Sequence, residues 1–140
     1  MNKLAAVFWD VDGTLADTEL YGHRLAFNFA FQDYGLDWVW SKKMYIDLLK
    51  ISGGLNRITH FRNTQNKQIT DDLCRKIQLR KGFHYSKLIK SGKILPREGV
   101  LRLIDELSVN DVEQFIVTTS GRESLRPFLN TSLNSHLKYF

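Results

Sequence analysis

Two carboxylates stand two positions apart where an apolar segment ends. Asp10 and Asp12 follow the uninterrupted apolar residues 4–9, and Gly13 comes directly after them. An apolar run that ends in acidic residues and glycine is typical of a strand buried on both faces of a parallel sheet. Residues i and i+2 of an extended chain point to the same side. We therefore expect both carboxylates to face the crevice at the carboxyl end of the strand, where open α/β sheets bind ligands.

Paired carboxylates suit the hydrolysis of a phosphate ester. One carboxylate can attack the phosphorus and form an acyl phosphate, while the second can protonate the leaving oxygen and then activate water. Two negative charges would repel a phosphate unless a hard cation with oxygen ligands lay between them. The pair therefore predicts a phosphohydrolase that uses Mg²⁺ as cofactor, with Asp10 and Asp12 as its ligands.

Other local structures also use acidic residues at this spacing. An EF-hand loop requires glycine where Leu15 stands, after a third oxygen ligand at the place of Thr14, so the leucine excludes that loop. A simple turn at Asp12 and Gly13, with no chemical role, stays open as an alternative.

Helical patterns occupy the chain between residues 17 and 93. After Thr18 the apolar residues recur at steps of four, and Ser and Thr stand at positions suited to helix N-caps. No strand pattern interrupts this part of the sequence, and we interpret residues 17–93 as an inserted all-helical cap. The predicted helices are residues 19–34, a segment from Ser41 to residue 52, residues 57–61, and a segment from Thr70 to Gly92.

An α/β pattern surrounds this insert. Residues 100–107 carry one apolar helical face, and residues 113–119 predict a second buried strand that turns into a helix at Gly121. The order strand, helical insert, helix, strand, helix predicts an α/β fold with a Rossmann-like parallel sheet. We assign residues 1–16 and 94–140 to this core.

Composition favours a globular protein without disulfides. The 140 residues are 43% hydrophobic and 25% charged, the balance of a soluble globular chain. Cys74, the single cysteine, cannot form an internal disulfide, which suits a reducing compartment. The apolar residues 4–9 are too short for a signal peptide or a membrane span. We therefore expect a cytoplasmic protein that does not bind membranes.

The net charge of +5 and the pI near 9.4 are compatible with nucleic acid, membrane surfaces or anionic metabolites as partners. No aromatic residues interleave with the basic ones as they do in platforms that stack bases. We predict solvated helix faces that do not bind nucleic acid, with a modest positive field suited to a phosphate substrate. The basic residues in question are Lys42, Lys43, Arg75, Lys76, Arg80, Lys81, Lys87 and Lys90.

Residues 10–15 read Asp-Val-Asp-Gly-Thr-Leu and resemble the first motif of the haloacid dehalogenase superfamily, DxDGT[LV], at every position. The resemblance implies a Rossmann-like core with an inserted helical cap. It implies that Asp10 is the nucleophile and Asp12 the general acid and base. In that superfamily the second aspartate also offers its backbone carbonyl to Mg²⁺.

A second motif of the superfamily places Ser or Thr at the end of the next core strand, where it holds the transferring phosphoryl group. The sequence Val117-Thr118-Thr119-Ser120 supplies such a residue. Its register resembles the V-T-N of phosphoglycolate phosphatases and favours Thr118. Thr119 stays an alternative for this role because consecutive strand residues face opposite sides. Both threonines could also be ordinary β-branched strand residues without a role in the site. We add Gly13 to this phosphate site.

The helical insert resembles the cap of the subgroup that contains β-phosphoglucomutase and phosphoglycolate phosphatase. Residues 17–24 and 52–57 look most like the CbbY-like sugar-bisphosphate phosphatases, which act on xylulose 1,5-bisphosphate. The resemblance implies that Arg57, beside Gly54, binds a distal phosphate through its guanidinium fork. His23 is a further candidate substrate contact. A surface arginine and an exposed helix histidine are the alternatives for these two residues.

Two later motifs of the superfamily have no counterpart in this sequence. One is a lysine after a third core strand, and Lys138 does not follow such a strand; the other is an acidic pair that completes the Mg²⁺ site. The resemblance implies that the chain corresponds to little more than half of a typical member, so that either it is truncated at its C-terminus or another chain supplies the missing part. We therefore expect a phosphatase of a small sugar phosphate by family, little activity from these 140 residues alone, and association through uncovered apolar surface. A phosphomutase and an inactive remnant are the alternatives, and no oligomeric state is predicted.

Overall fold

The computed structural model describes residues 3–65 and 68–140. Two strands, β1 (Ala6–Trp9) and β2 (Glu113–Ile116), pair in parallel with Phe8 opposite Phe115. Both are shorter than residues 4–9 and 113–119 of the sequence prediction. The ladder ends after the Val117 amide donates to the Trp9 carbonyl at 2.8 Å, because β1 turns away at the next residue.

Helices make up most of the remaining structure, as the sequence predicts. Side chains cap two of them: Ser41 accepts from the Met44 amide at 3.2 Å and Thr70 from the Leu73 amide at 3.1 Å, which confirms both predicted N-caps. The helices are a π-helical turn Glu19–His23, α1 Arg24–Asp33, α2 Lys42–Leu48, α3 Gly54–Thr64, α4 Asp71–Lys90, α5 Val100–Val109, α6 Arg122–Ser132 and a 3₁₀ helix Asn134–Tyr139.

Three helix predictions need correction. The helix predicted from Ser41 to residue 52 ends at Leu48. The segment predicted as one helix over residues 19–34 begins instead with the π-helical turn Glu19–His23 and ends at Asp33. The segment predicted over residues 57–61 is the longer helix α3, which begins at Gly54 and ends at Thr64. Gly53, directly before it, has φ 87°, a positive value that glycine adopts without strain.

Two apolar clusters form the interior. The first packs α5 and α6 against one face of the sheet, and Trp9, Ile104 and Phe128 are buried there. The second is rich in aromatic side chains and packs α1, α2, α3 and the first half of α4 around Trp40. The long helix α4 contributes to both clusters, so it carries side chains from the helical region to the sheet. The domain boundaries at residues 16/17 and 93/94 stay a prediction.

The turn after β1 is held by backbone hydrogen bonds. The Gly13 amide donates to the Ala16 carbonyl at 2.8 Å, and the Arg97 amide donates to the Leu15 carbonyl at 2.8 Å. Gly13 has φ 81°, a left-handed conformation that glycine adopts without strain. The guanidinium of Arg97 also donates to the Gly13 carbonyl at 2.6 Å. The acidic turn is therefore fixed relative to the chain that returns from the helices.

One face of the two-stranded sheet lies open. Phe8 and Phe115 stack on it with ring centroids 5.4 Å apart, and they are 68% and 42% exposed. Val117, two residues after Phe115, is also exposed. Parallel sheets are ordinarily covered on both faces, and an apolar patch of this kind promotes association. None of the described helices is both long enough and apolar enough to cross a bilayer.

We expect the 140-residue chain to self-associate through this face. Replacing Phe8 and Val117 together with serine should shift the chain toward monomer, because it removes exposed apolar area without touching the buried side of the sheet. Sedimentation velocity over a concentration series measures the shift. Val109→Ser is the control, since Val109 is 83% exposed at the end of α5. Equal association of the double variant and the control would contradict the prediction.

Candidate active site

Asp10 and Asp12 follow β1, but their surroundings differ. Asp10 is exposed, and its carboxylate accepts only a long hydrogen bond of 3.4 Å from the Thr14 hydroxyl among the side-chain bonds of the described residues. Asp12 is partly buried and accepts hydrogen bonds from the hydroxyls of Thr18 and Ser120. One carboxylate is therefore free to meet a ligand, while the other is fixed in position.

His23 faces Asp12. The last residue of the π-helical turn is buried, with Nε2 3.3 Å from Oδ1 of Asp12, so the alternative of an exposed helix histidine is wrong. Its Nδ1 atom lies 2.7 Å from Nζ of Lys81 on α4. The ammonium of Lys81 can donate to Nδ1, and Nε2–H can donate to Asp12. The π-helical turn is what brings this ring beneath the acidic turn, and such turns are frequent at functional sites.

Lys81 is a site residue that the sequence interpretation missed. The sequence predicts a solvated helix face for Lys81, but the side chain is only 6% exposed. A signal existed in the spacing: Ile77, Lys81, Tyr85 and Ile89 recur every four residues on α4 and are all buried. A lysine inside an apolar stripe is rarely buried without a partner, and here His23 is that partner.

Burial and neighbouring groups shift the pKa values of these three residues. Burial lowers the pKa of His23, and the positive charge of Lys81 lowers it further. Burial also lowers the pKa of Lys81, to about 8. For Asp12, burial alone would raise the pKa, but hydrogen bonds from His23, Ser120 and Thr18 outweigh it and hold the pKa well below its usual range. At neutral pH Asp12 is therefore ionised, His23 is neutral and Lys81 is charged.

We expect Lys81 to make the free energy of unfolding depend on pH in the alkaline range. Its pKa is about 8 in the folded chain against an ordinary 10.5. Between these values the unfolded chain binds the proton and the folded chain does not, so the free energy of unfolding rises with pH in that window. Relative to Lys81→Met, the wild-type chain should gain up to about 3 kcal/mol. Urea unfolding at a series of pH values measures the gain, and parallel curves for the two proteins would contradict it.

A cavity of about 360 Å³ opens at the two carboxylates. Thr119 lies in its wall, whereas Thr118 and Gly13 do not, and the Thr118 hydroxyl accepts from the Ser120 amide at 3.1 Å. Ser120, which the sequence interpretation did not single out, is in the wall and bonds Asp12. The cavity is lined by Asp10, Asp12, Glu19, His23, Ser52, Gly53, Gly54, Arg57, Gln78, Lys81, Thr119, Ser120, Gly121 and Ser124.

Arg57 reaches the same cavity from α3. It is half-buried, and its Nε donates to the Ile51 carbonyl at 2.8 Å, which fixes the plane of the guanidinium. Tyr45 lies beside it, with its ring centroid 5.8 Å from the guanidinium carbon, and donates its hydroxyl to Glu19 at 2.8 Å. Arg57 therefore lies in the wall of the same cavity as the acidic pair, which differs from the alternative of a surface arginine.

The carboxylates offer a limited donor set for a metal ion. Within residues 3–65 and 68–140, no group of three or more His, Cys, Asp or Glu side chains is arranged to hold one. Asp10 and Asp12 supply two carboxylates in one cavity. Mg²⁺ commonly binds through one or two carboxylates together with water and substrate phosphate. The residues present therefore fit Mg²⁺ that is shared with a phosphorylated ligand.

Comparison with known proteins identifies the family. A family model described as haloacid dehalogenase-like hydrolase matches residues 7–139. The chain belongs to this family. Both the resemblance seen at residues 10–15 and the predicted α/β core with helical insert are confirmed.

CbbY proteins are among the relatives of this family member. CbbY of Rhodobacter capsulatus is 37% identical over 123 residues, which are 88% of this chain and 54% of that protein. CbbY from Rhodobacter sphaeroides, solved in complex with phosphate, is 31% identical with a TM-score of 0.83 over 94% of this chain and 58% of that chain. A mutant of that protein was solved in complex with xylulose 1,5-bisphosphate. The chain thus spans little more than half the length of these relatives.

A likeness of fold extends beyond the CbbY proteins. A predicted phosphoglycolate phosphatase from Haemophilus somnus is 18% identical with a TM-score of 0.78, covering 98% of this chain and 61% of that one. At this identity the likeness concerns the fold alone. It agrees with the predicted Rossmann-like core and inserted helices.

Proposed function

We propose that this chain carries the nucleophile, the proton-transfer group and the cap contacts of a Mg²⁺-dependent phosphatase that acts on a small sugar phosphate. The observation that carries the proposal is the shared cavity. An exposed carboxylate, Asp10, and a hydrogen-bonded one, Asp12, line it together with the guanidinium of Arg57. Xylulose 1,5-bisphosphate is the substrate we favour, because a CbbY relative binds it and Arg57 suits a second phosphate.

In the proposed reaction a carboxylate oxygen of Asp10 attacks the phosphorus, and the bond from phosphorus to the sugar oxygen breaks. The leaving oxygen takes a proton from Asp12. Water then attacks the phosphorus of the acyl phosphate, gives its proton to Asp12, and releases orthophosphate from Asp10. Bound Mg²⁺, held by Asp10 and Asp12, would offset the negative charge of the phosphoryl group.

The two roles of Asp12 place different demands on its proton. Its low pKa means that the unliganded site holds it ionised, ready to accept a proton from water. To protonate the leaving oxygen it must first gain a proton, and the negative charge of an arriving phosphate raises the pKa of a nearby carboxyl. Thr18, Ser120 and His23 hold the carboxylate in place for both steps.

The experiment compares the 140-residue chain with a completed protein, in which the chain is joined to the part of Rhodobacter sphaeroides CbbY that lies outside the match. We expect the completed protein to release phosphate from xylulose 1,5-bisphosphate in millimolar Mg²⁺. The chain alone should stay near background, because its two carboxylates give Mg²⁺ few fixed ligands and positioning dominates phosphoryl transfer. No release by a folded completed protein would contradict the proposed function. Isomerised sugar phosphate in place of free phosphate would indicate a phosphomutase.

A further inference from the structure

One amide side chain, Gln78 of α4, lines the cavity. Its Oε1 atom is buried and has no hydrogen-bond partner among the described residues. A buried acceptor without a donor costs about 1–3 kcal/mol, so such an atom requires an explanation. Two indole nitrogens, those of Trp38 and Trp40, share this property, but they lie in the aromatic cluster and outside the cavity wall.

The start of α3 leaves room for this amide. A Cβ added at Gly54 would overlap Oε1 of Gln78 and would lie 3.0 Å from Cζ of Phe27. Glycine at position 54 therefore allows the amide to lie between the two helices at the cavity wall. The last side-chain torsion of glutamine is soft, so Oε1 can turn toward the cavity when a donor arrives there.

The chemistry of the amide indicates the kind of group it meets. The unpartnered atom is an acceptor, and an ionised phosphate has no proton to donate to it, although the NH2 group of the same amide could donate to a phosphate. A hydroxyl both donates and accepts, as an amide does. Gln78 stands one turn before Lys81 on α4, where residues three apart share a face. Gln78 and Lys81 both line the cavity.

We propose that Gln78 is a specificity residue that accepts a hydrogen bond from a hydroxyl on the carbon chain of the substrate. The inference rests on the proposed phosphatase function and narrows its substrates to polyhydroxylated phosphate esters. A substrate without that hydroxyl leaves Oε1 unpaired, and sites built to bond a hydroxyl reject analogues that lack it.

Equilibrium binding to the 140-residue chain in millimolar Mg²⁺ tests the proposal. The probes are xylulose 1,5-bisphosphate and pentane-1,5-diol bisphosphate, which has two phosphates on a five-carbon chain without hydroxyl or carbonyl groups. We expect the wild-type chain to prefer the sugar by about tenfold or more. Gln78→Leu should reduce the preference to about twofold or less, while its affinity for the diol bisphosphate stays unchanged.

Two further variants keep the test decisive. Gly54→Ala should reduce the preference as Gln78→Leu does, because its Cβ displaces the amide, and it serves if Gln78→Leu fails to fold. Leu79→Ala, at a 76% exposed neighbour on α4, should keep the wild-type preference. A preference retained in folded Gln78→Leu overturns this inference and leaves the proposed function standing. Absence of binding of both bisphosphates to the wild-type chain overturns this inference, whereas the proposed function is decided by phosphate release from the completed protein.

Discussion

Asp10→Asn should abolish phosphate release by the completed protein, with a loss of about 10⁴-fold or more. An amide oxygen is a far weaker nucleophile than a carboxylate, and the acyl phosphate cannot form on it. The position of Asp10 predicts that little else changes, because its carboxylate is exposed and accepts a single long hydrogen bond among the side-chain bonds of the described residues. The loss should therefore appear in turnover and not in folding.

Phosphate release from xylulose 1,5-bisphosphate and circular dichroism of the same samples measure the two effects. Asp111→Asn is the matched control: Asp111 is exposed, lies outside the cavity and has φ 55°, a conformation that asparagine also accepts. This control should keep full activity. Turnover that survives in Asp10→Asn would show that another group attacks the phosphorus.

The acidic turn and its strand could be predicted from the sequence because local signals agree there. An apolar run of one strand's length, two carboxylates at i and i+2, and a glycine in a left-handed turn all describe the same short segment. The helix caps at Ser41 and Thr70 were predictable for the same reason, since each cap is a bond between neighbours in the chain.

The groups around Asp12 could not be found in this way, because they meet through tertiary packing. His23 and Lys81 are 58 residues apart, and Ser120 is 108 residues from Asp12. A histidine or lysine in a helix is usually exposed, and only the apolar stripe around Lys81 indicated otherwise. The π-helical turn Glu19–His23 left no pattern that differs from an α-helix, yet it sets the direction of the His23 ring.

The ends of the strands could not be predicted from the sequence, for a different reason. Residues 117–119 have the composition of a strand, but β2 ends at Ile116 because β1 offers no further partner after Trp9. That early end lets the chain turn so that Ser120, and not Thr118, contacts Asp12. The role of Thr118 or Thr119 in holding a transferring phosphoryl group stays a prediction. Of the two, Thr119 is favoured because it lies in the cavity wall.

Arg57→Ala should separate bisphosphate from monophosphate substrates. We expect kcat/KM of the completed protein for xylulose 1,5-bisphosphate to fall by about 100-fold, because a guanidinium–phosphate pair provides two charge-assisted hydrogen bonds. For p-nitrophenyl phosphate, which has no second phosphate, the fall should be less than about threefold. Arg57→Lys should lie between the two, since it keeps the charge and loses the fork.

The expected effect depends on how the guanidinium of Arg57 is held. Nε of Arg57 donates to the Ile51 carbonyl, which leaves the two terminal guanidinium nitrogens for a ligand. One of these, Nη1, makes only a long contact of 3.5 Å with the Tyr45 hydroxyl. His60→Ala is the control, because His60 is exposed on the same helix and lies outside the cavity. It should leave kcat/KM unchanged for both substrates. Equal losses on both substrates in Arg57→Ala would mean that Arg57 supports the reacting phosphate or the fold of α3, and that the cap recognises no distal phosphate through it.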